Sequence, residues 1–182
     1  MSTKHTTLFL GAFGLLLTGT VARADTAGFD EQMKPLYGEY QKIHRALAAD
    51  GLKGVDAAAK KLGMLAGKLD PSSVSGKHAG HYKDLPRKIK AAVAKLARAR
   101  GIKAKREAFK DLSKPLAMWA TMSRPEGINV VFCSMARGSW LQSDKTIANP
   151  YYGARMLRCG EVVSGKDKGA AGGHMKHEGH IH

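Results

Sequence analysis

The chain is short of the groups that most catalysts display. Acidic residues number 15 against 30 Lys and Arg, and they are scattered, with Glu161 alone close to a cysteine. Ser139 and Ser143 have no histidine beside them in the sequence, and no Gly-rich loop runs into Lys-Ser or Lys-Thr, which argues against triad and phosphate-loop chemistry. Cysteine is limited to Cys133 and Cys159, too far apart for a C-x-x-C redox motif. Past the first 24 residues no stretch is apolar enough to span a bilayer. These absences point away from an enzyme and away from an integral membrane protein.

What is present begins with an address. Lys4 precedes an apolar run, Leu8 to Leu17, and Ala22-Arg23-Ala24 supplies the small-x-small pattern of a signal-peptidase site. Residues 1–24 therefore read as a signal peptide, with a mature chain that starts at Asp25 in the periplasm. Removing them takes the net charge from +15 to +13 and leaves 158 residues, enough for one domain with a core. In the cytosol such a charge suggests nucleic acid. Export argues against that partner and favours an acidic protein or an anionic surface.

Apolar residues recur at helical spacing in four segments. The first, about Asp30 to Asp50, carries Met33, Leu36, Tyr37, Tyr40, Ile43 and Leu47, and Asp50-Gly51 stops it. The second runs from about Val55 to Leu69 and is followed by a Pro/Ser/Gly loop. A third, about Asp84 to Arg100, turns Leu85, Ile89, Val93 and Leu96 inward, places Pro86 in its first turn and crowds its outer face with Lys and Arg. The fourth runs from Gly101 to about Met122 around Phe109, Leu112, Leu116 and Trp119, with Pro115 expected to kink it. Short loops between four such helices predict a mainly α, up-and-down four-helix bundle. Beyond Arg124-Pro125, Ile128 to Phe132 reads as a strand leading into Cys133, and Leu157 to Val163 as a second beside it. The domain then spans 25–163, and residues 164–182, rich in Gly, Lys and His, read as a disordered tail.

Sulfur supplies the chemistry. Cys133 and Met135 lie two apart at a strand end, and Met156 and Cys159 three apart; if the two segments meet, four soft donors converge. Thiolate and thioether select Cu(I), and Ag(I) with it, whereas Mg²⁺ and Ca²⁺ want oxygen. Asn149-Pro150-Tyr151-Tyr152-Gly153 reads as a rigid turn able to fold the second pair onto the first. The competing reading is a structural disulfide, worth roughly 3 kcal/mol for a loop of this length, with the methionines filling core. The tail adds His174, Met175, His177, His180 and His182, an imidazole-rich tract suited to weak, exchangeable capture of copper-like ions. His44, His78 and His81 carry no comparable pattern. His44 reads as a satisfied, partly buried histidine, His78 and His81 as members of a solvated loop, and Met118 and Met122 as bundle packing.

From Cys133 onward the motifs resemble a known family. Cys133-Ser134-Met135-Ala136, Trp140-Leu141, Asn149-Pro150-Tyr151-Tyr152-Gly153 and Met156-Leu157-Arg158-Cys159-Gly160 are similar to the C-P-M-A, W-L, N-P-Y-x-G and M-L-x-C-G pattern of a bacterial periplasmic domain of unassigned function. Ser134 departs from it, standing where the family carries Pro. Arg106 to Ser113 matches R-x-x-F-x-x-L-S, and the likeness extends over about residues 33–163. That family occurs alone or fused to the adaptor (membrane-fusion) subunits of Cu(I)/Ag(I) efflux pumps. The resemblance implies a periplasmic protein that binds copper or silver ions and buffers them or passes them to an efflux system, with no catalytic cofactor. The alternative is an interaction module, its cysteines joined as a disulfide, that docks onto an efflux adaptor or an anionic surface.

Overall fold

Apolar residues at three-and-four spacing bury one stripe of each helix, and the four stripes meet in one core. The computed structural model describes residues 26–164; the expected signal peptide and the His-rich tail lie outside them. Helix α1 is Ala27–Ala48, α2 Val55–Ala66, α3 Ala79–Arg98 and α4 Gly101–Ser123. Consecutive helices pack against each other, α1 on α2, α2 on α3 and α3 on α4, the up-and-down arrangement the short loops imply. Met33, Leu36, Tyr40, Ile43 and Leu47 of α1 are fully buried, as are Leu85, Ile89 and Leu96 of α3 and Phe109, Leu112 and Leu116 of α4. Among the described residues no helix is long and apolar enough to cross a membrane.

The structure departs from the sequence reading at the start of α3 and in the C-terminal strands, where only Glu161–Val162 of the expected 157–163 is strand, and α2 ends at Ala66 rather than Leu69. Helix α3 begins five residues before Asp84, at Ala79, so Pro86 sits two turns inside it rather than in its first turn. The reason is Tyr82, whose buried ring anchors an extra N-terminal turn and meets Phe29 edge-on, 5.2 Å between centroids. His78 thereby becomes the residue preceding α3 and His81 part of the helix. The C-terminal β element has three strands: β1 (Asn129–Cys133), β2 (Gly138–Gln142) and β3 (Glu161–Val162), in the order β2-β1-β3 and antiparallel throughout. The added strand, β2, pairs Cys133 with Gly138 across a four-residue loop and places Trp140 opposite Val131.

The helices hold this sheet through buried polar groups. Leu141 N–H on the outer edge of β2 donates to Tyr40 Oη (3.1 Å), which hydrogen-bonds Ser113 Oγ (2.7 Å), whose hydroxyl donates to Phe109 O (2.9 Å). Gln41 Nε2 donates to Leu141 O (2.9 Å), so both backbone groups of that edge residue are satisfied by α1. Asp30 closes the other end of the bundle by accepting from Trp119 Nε1 and Ser123 Oγ, each at 2.7 Å. Lys105 is buried and donates to Leu96 O (2.7 Å) and to Asp56, tying α4 to α3 and α2.

His44 behaves as a core residue. It is 1% exposed, and its Nε2 meets Ala148 O at 2.8 Å, which fits a neutral ring with the proton on Nε2. Burial dominates and pushes its pKa down from about 6.5 to about 4. The unfolded chain therefore takes up a proton that the folded chain refuses between these values. The resulting stabilisation is complete above pH 6.5 and is lost as pH falls toward 4. At about 1.4 kcal/mol per unit, its full extent is about 3 kcal/mol. Urea unfolding at pH 7 and pH 4.5 is expected to show most of that loss, and His44→Gln to flatten it.

Candidate sulfur site

The loop between β1 and β2 and the turn after Asn149 bring the cysteines together. Strand β3 pairs Glu161 with Phe132, so the chain two residues before β3 carries Cys159 past the end of β1, where Cys133 sits. Cys133 Sγ and Cys159 Sγ are 2.7 Å apart, and both cysteines are free thiols in this structure. Their environments differ. Cys133 is 1% exposed, whereas Cys159 is half-buried and lines a surface cavity of about 250 Å³ with Phe132, Ser134, Gly160 and Glu161.

The four-residue loop Ser134–Arg137 wraps back over Cys133. Ala136 N–H donates to Cys133 Sγ at 3.4 Å, and Met135 N–H also faces the sulfur pair. Arg137, at φ +47°, takes the left-handed turn that lets the loop close onto Gly138. Desolvation raises the pKa of the Cys133 thiol, but the Cys159 thiol and these N–H donors together outweigh it and bring it below the ordinary thiol value. Cys159 moves the other way, chiefly because it is the donor to Cys133. Of the two thiols, the inner one gives up its proton the more readily.

The segment bearing Cys159 is fixed by two side chains. Asn149, fully buried, donates from Nδ2 to Cys159 O (2.8 Å) and accepts at Oδ1 from Tyr151 N–H (2.8 Å) and Tyr152 N–H (3.3 Å). Arg106 reaches from α4 to Leu47 O (2.8 Å), Pro150 O (3.0 Å) and Asp50 Oδ1 (2.5 Å). Asp50 Oδ2 accepts from Ala154 N–H (2.8 Å); that bond first, and Arg106 second, hold its carboxyl below the usual range. Gly153, at φ +58°, lies so close to this ion pair that a Cβ would overlap the Asp50 carboxylate and the Arg106 guanidinium. Gly160, at φ +151°, leaves little room as well: a Cβ there would fall 2.6 Å from the buried ring of Trp140.

Of the expected ligands, the structure joins Cys133 and Cys159 through their side chains and the two methionines through their backbones. Met156 closes the 3-10 turn Gly153–Met156, is half-buried, and its carbonyl accepts from Cys159 N–H at 3.0 Å. Met135 is 63% exposed and lines a neighbouring cleft with Arg106, Lys110 and Tyr152. His174, Met175, His177, His180 and His182 lie outside the described residues. His78 and His81 face each other with ring centroids 6.3 Å apart, remote in sequence from the cysteines. Met118 and Met122 pack against the bundle core. Among the described residues no group of three or more His, Cys, Asp or Glu side chains is gathered as a metal cluster. The supporting roles of Asn149, Arg106 and Asp50 went unread in the sequence, although the turn-forming run around Asn149 marked the place.

Residues 36–126 match the family described as Protein of unknown function (DUF3347), a stretch covering most of α1 and all of α2, α3 and α4 and ending before β1. No curated protein and no solved structure matches the chain.

Replacing Asn149 by Ala leaves the Cys159 carbonyl and the Tyr151 N–H without their partner. At about 1–3 kcal/mol per orphaned buried group, Asn149→Ala is expected to lower the unfolding free energy by about 2–4 kcal/mol. Urea denaturation checks this; a loss under about 0.5 kcal/mol, the size of an ordinary surface substitution, would show that the turn holds without it.

Proposed function

The chain belongs to the DUF3347 family, whose description assigns no activity, and from that premise we propose that it is a non-enzymatic, periplasmic binding protein for a soft metal ion, Cu(I) or Ag(I), taken up between Cys133 and Cys159. One observation carries the reading: two thiols from segments 26 residues apart meet side by side, the inner one stabilised as thiolate by backbone N–H groups and the outer one beside a surface cavity. Thiolate is the soft donor that Cu(I) selects. A zinc site asks for three or four nitrogen, sulfur or carboxylate donors, and the described residues gather no such set.

The fit of the ion depends on the outer sulfur. An ion held between the two thiolates would need them farther apart than the 2.7 Å at which they stand. Rotation of the Cys159 side chain toward its cavity supplies that movement while Cys133 keeps its backbone donors. Met156, whose carbonyl already accepts from Cys159 N–H, and Met135, which would have to turn from its neighbouring cleft, are the further donors this reading calls on. The His/Met tract of residues 174–182 adds a weaker, faster-exchanging set. The resemblance noted in the sequence makes delivery to an efflux adaptor the role that best suits such a protein.

A second reading has its own support. Between α3 and α4 lies a groove of about 390 Å³ with an apolar floor of Ala92, Pro115 and Met118 and a rim on which Arg87 and Lys88 pair with Asp84 and Lys114 with Asp111, cations still in excess. With the cysteines joined as a disulfide, the domain would serve as a docking module for an acidic partner, and metal would play no part.

Titration of the reduced protein with Cu(I) against a chromogenic Cu(I) chelator separates the two. Binding of one ion per domain is expected to survive truncation after Ser164 and to weaken by about tenfold or more in Cys133→Ser and in Cys159→Ser, since each removes one of two thiolates. Equal affinity in wild type and both variants, with the tail removed, leaves the docking module standing.

A further inference from the structure

The two sulfurs are unequal in access, and that inequality bears on thiol chemistry as well as on metal capture. Cys133 is 1% exposed and sits beneath its own loop, while Cys159 lines the surface cavity with Phe132, Ser134, Gly160 and Glu161, a cavity that Cys133 does not line. A disulfide is opened by a thiolate that reaches one of its sulfurs and drives out the other. Access therefore selects the sulfur attacked, and stabilisation of charge selects the sulfur released.

From this asymmetry we propose that Cys159 is a thiol–disulfide exchange site for a low-molecular-weight thiol and its disulfide, and that Cys133 is the sulfur that leaves and returns. In the opening direction, an external thiolate attacks Cys159 Sγ. A new S–S bond forms between them, the Cys133–Cys159 bond breaks, and its electron pair leaves on Cys133. Ala136 N–H, at 3.4 Å, and Met135 N–H are already directed at the sulfur that receives the charge. A second thiolate then attacks the external sulfur of the mixed disulfide, and Cys159 departs and takes a proton from water. Two external thiolates are oxidised to one disulfide while the protein's disulfide is reduced to a thiolate at Cys133 and a thiol at Cys159. Closing is the same path reversed, with Cys159 thiolate attacking the external disulfide and Cys133 thiolate then displacing the attached group.

The inference rests on the same sulfur pair as the metal reading but needs no metal. It makes metal capacity conditional: the open pair offers two thiolates, and the closed or thiolated pair does not.

The test uses the full-length chain freed of metal with a chelator, with glutathione as the probe. Protein oxidised by glutathione disulfide is pulsed briefly with reduced glutathione, quenched with acid, alkylated and mapped by peptide mass spectrometry. Glutathione is expected on Cys159 in about tenfold or greater excess over Cys133, because access governs exchange. In a second arm, native Cys133→Ser is expected to take up glutathione about tenfold faster than native Cys159→Ser, with the difference vanishing in denaturant. Equal or preferential labelling of Cys133 in the native protein overturns the proposal, as does a wild-type chain that forms no internal disulfide under glutathione disulfide. Cu(I) affinity of the reduced wild type is read separately. Lost copper binding with exchange confined to Cys159 defeats the metal reading alone; retained copper binding with exchange at Cys133 defeats this one alone.

Discussion

Arg106 is the residue through which the bundle and its C-terminal appendage become one object. Its guanidinium joins the last turn of α1 at Leu47 O, the Asp50 carboxylate just beyond it, and the carbonyl of Pro150 in the turn that leads to Cys159. Asp50 extends the junction by accepting the N–H of Ala154. The position of Cys159 thus depends on a contact made by residues that are not sulfur donors and lie in three separate parts of the chain. The absence of a side chain at Gly153 is the condition for that contact, because any Cβ would occupy the space of the ion pair. The charged groups here matter less as an exposed ion pair, which contributes little by itself, than as hydrogen-bonding groups that satisfy main-chain carbonyls and an amide.

A second layer of organisation is the way helices finish what the small sheet leaves open. Three strands, one of them two residues long, cannot bury enough surface to stand alone. The run from Leu141 N–H through Tyr40 and Ser113 to Phe109 O gives the β2 edge a partner inside the bundle rather than in water. It also polarises in one direction, each hydroxyl accepting from one neighbour and donating to the next, which strengthens the whole chain of bonds. Trp140 is the bulk beneath this layer, and Gly160 is the place where the returning chain can pass over it. Fixing Gly160 fixes its neighbour Cys159.

Much of this architecture was legible in the residues. The four apolar stripes identify the helices because burial in a bundle imposes one periodicity, and Met33, Leu85 and Phe109 all lie where it demands. The approach of Cys159 to Cys133 was legible as well, from the strand that ends at Cys133 and the Asn-Pro turn that sends the chain back. Less legible was the start of α3, where Ala79-Gly80-His81 has no apolar spacing and only Tyr82 marks an inward face. Strand β2 escaped notice because Gly138 to Gln142 is five residues long, and its burial on both faces removes the alternation that identifies a half-exposed strand. The partners of Arg106 were beyond any local pattern. A side chain that bonds carbonyls 59 and 44 residues away leaves no periodic trace.

The brevity of β3 has a consequence for the company the molecule keeps. An exposed strand edge is a template on which a second chain can extend a ladder, the usual beginning of aggregation. Here one margin of the sheet is sealed by Tyr40 and Gln41, and among the described residues the other is formed by Glu161 and Val162, with Val163 and Ser164 bonding on to Val130. Two ladder residues, one of them an exposed acidic side chain, give an incoming strand almost nothing to copy.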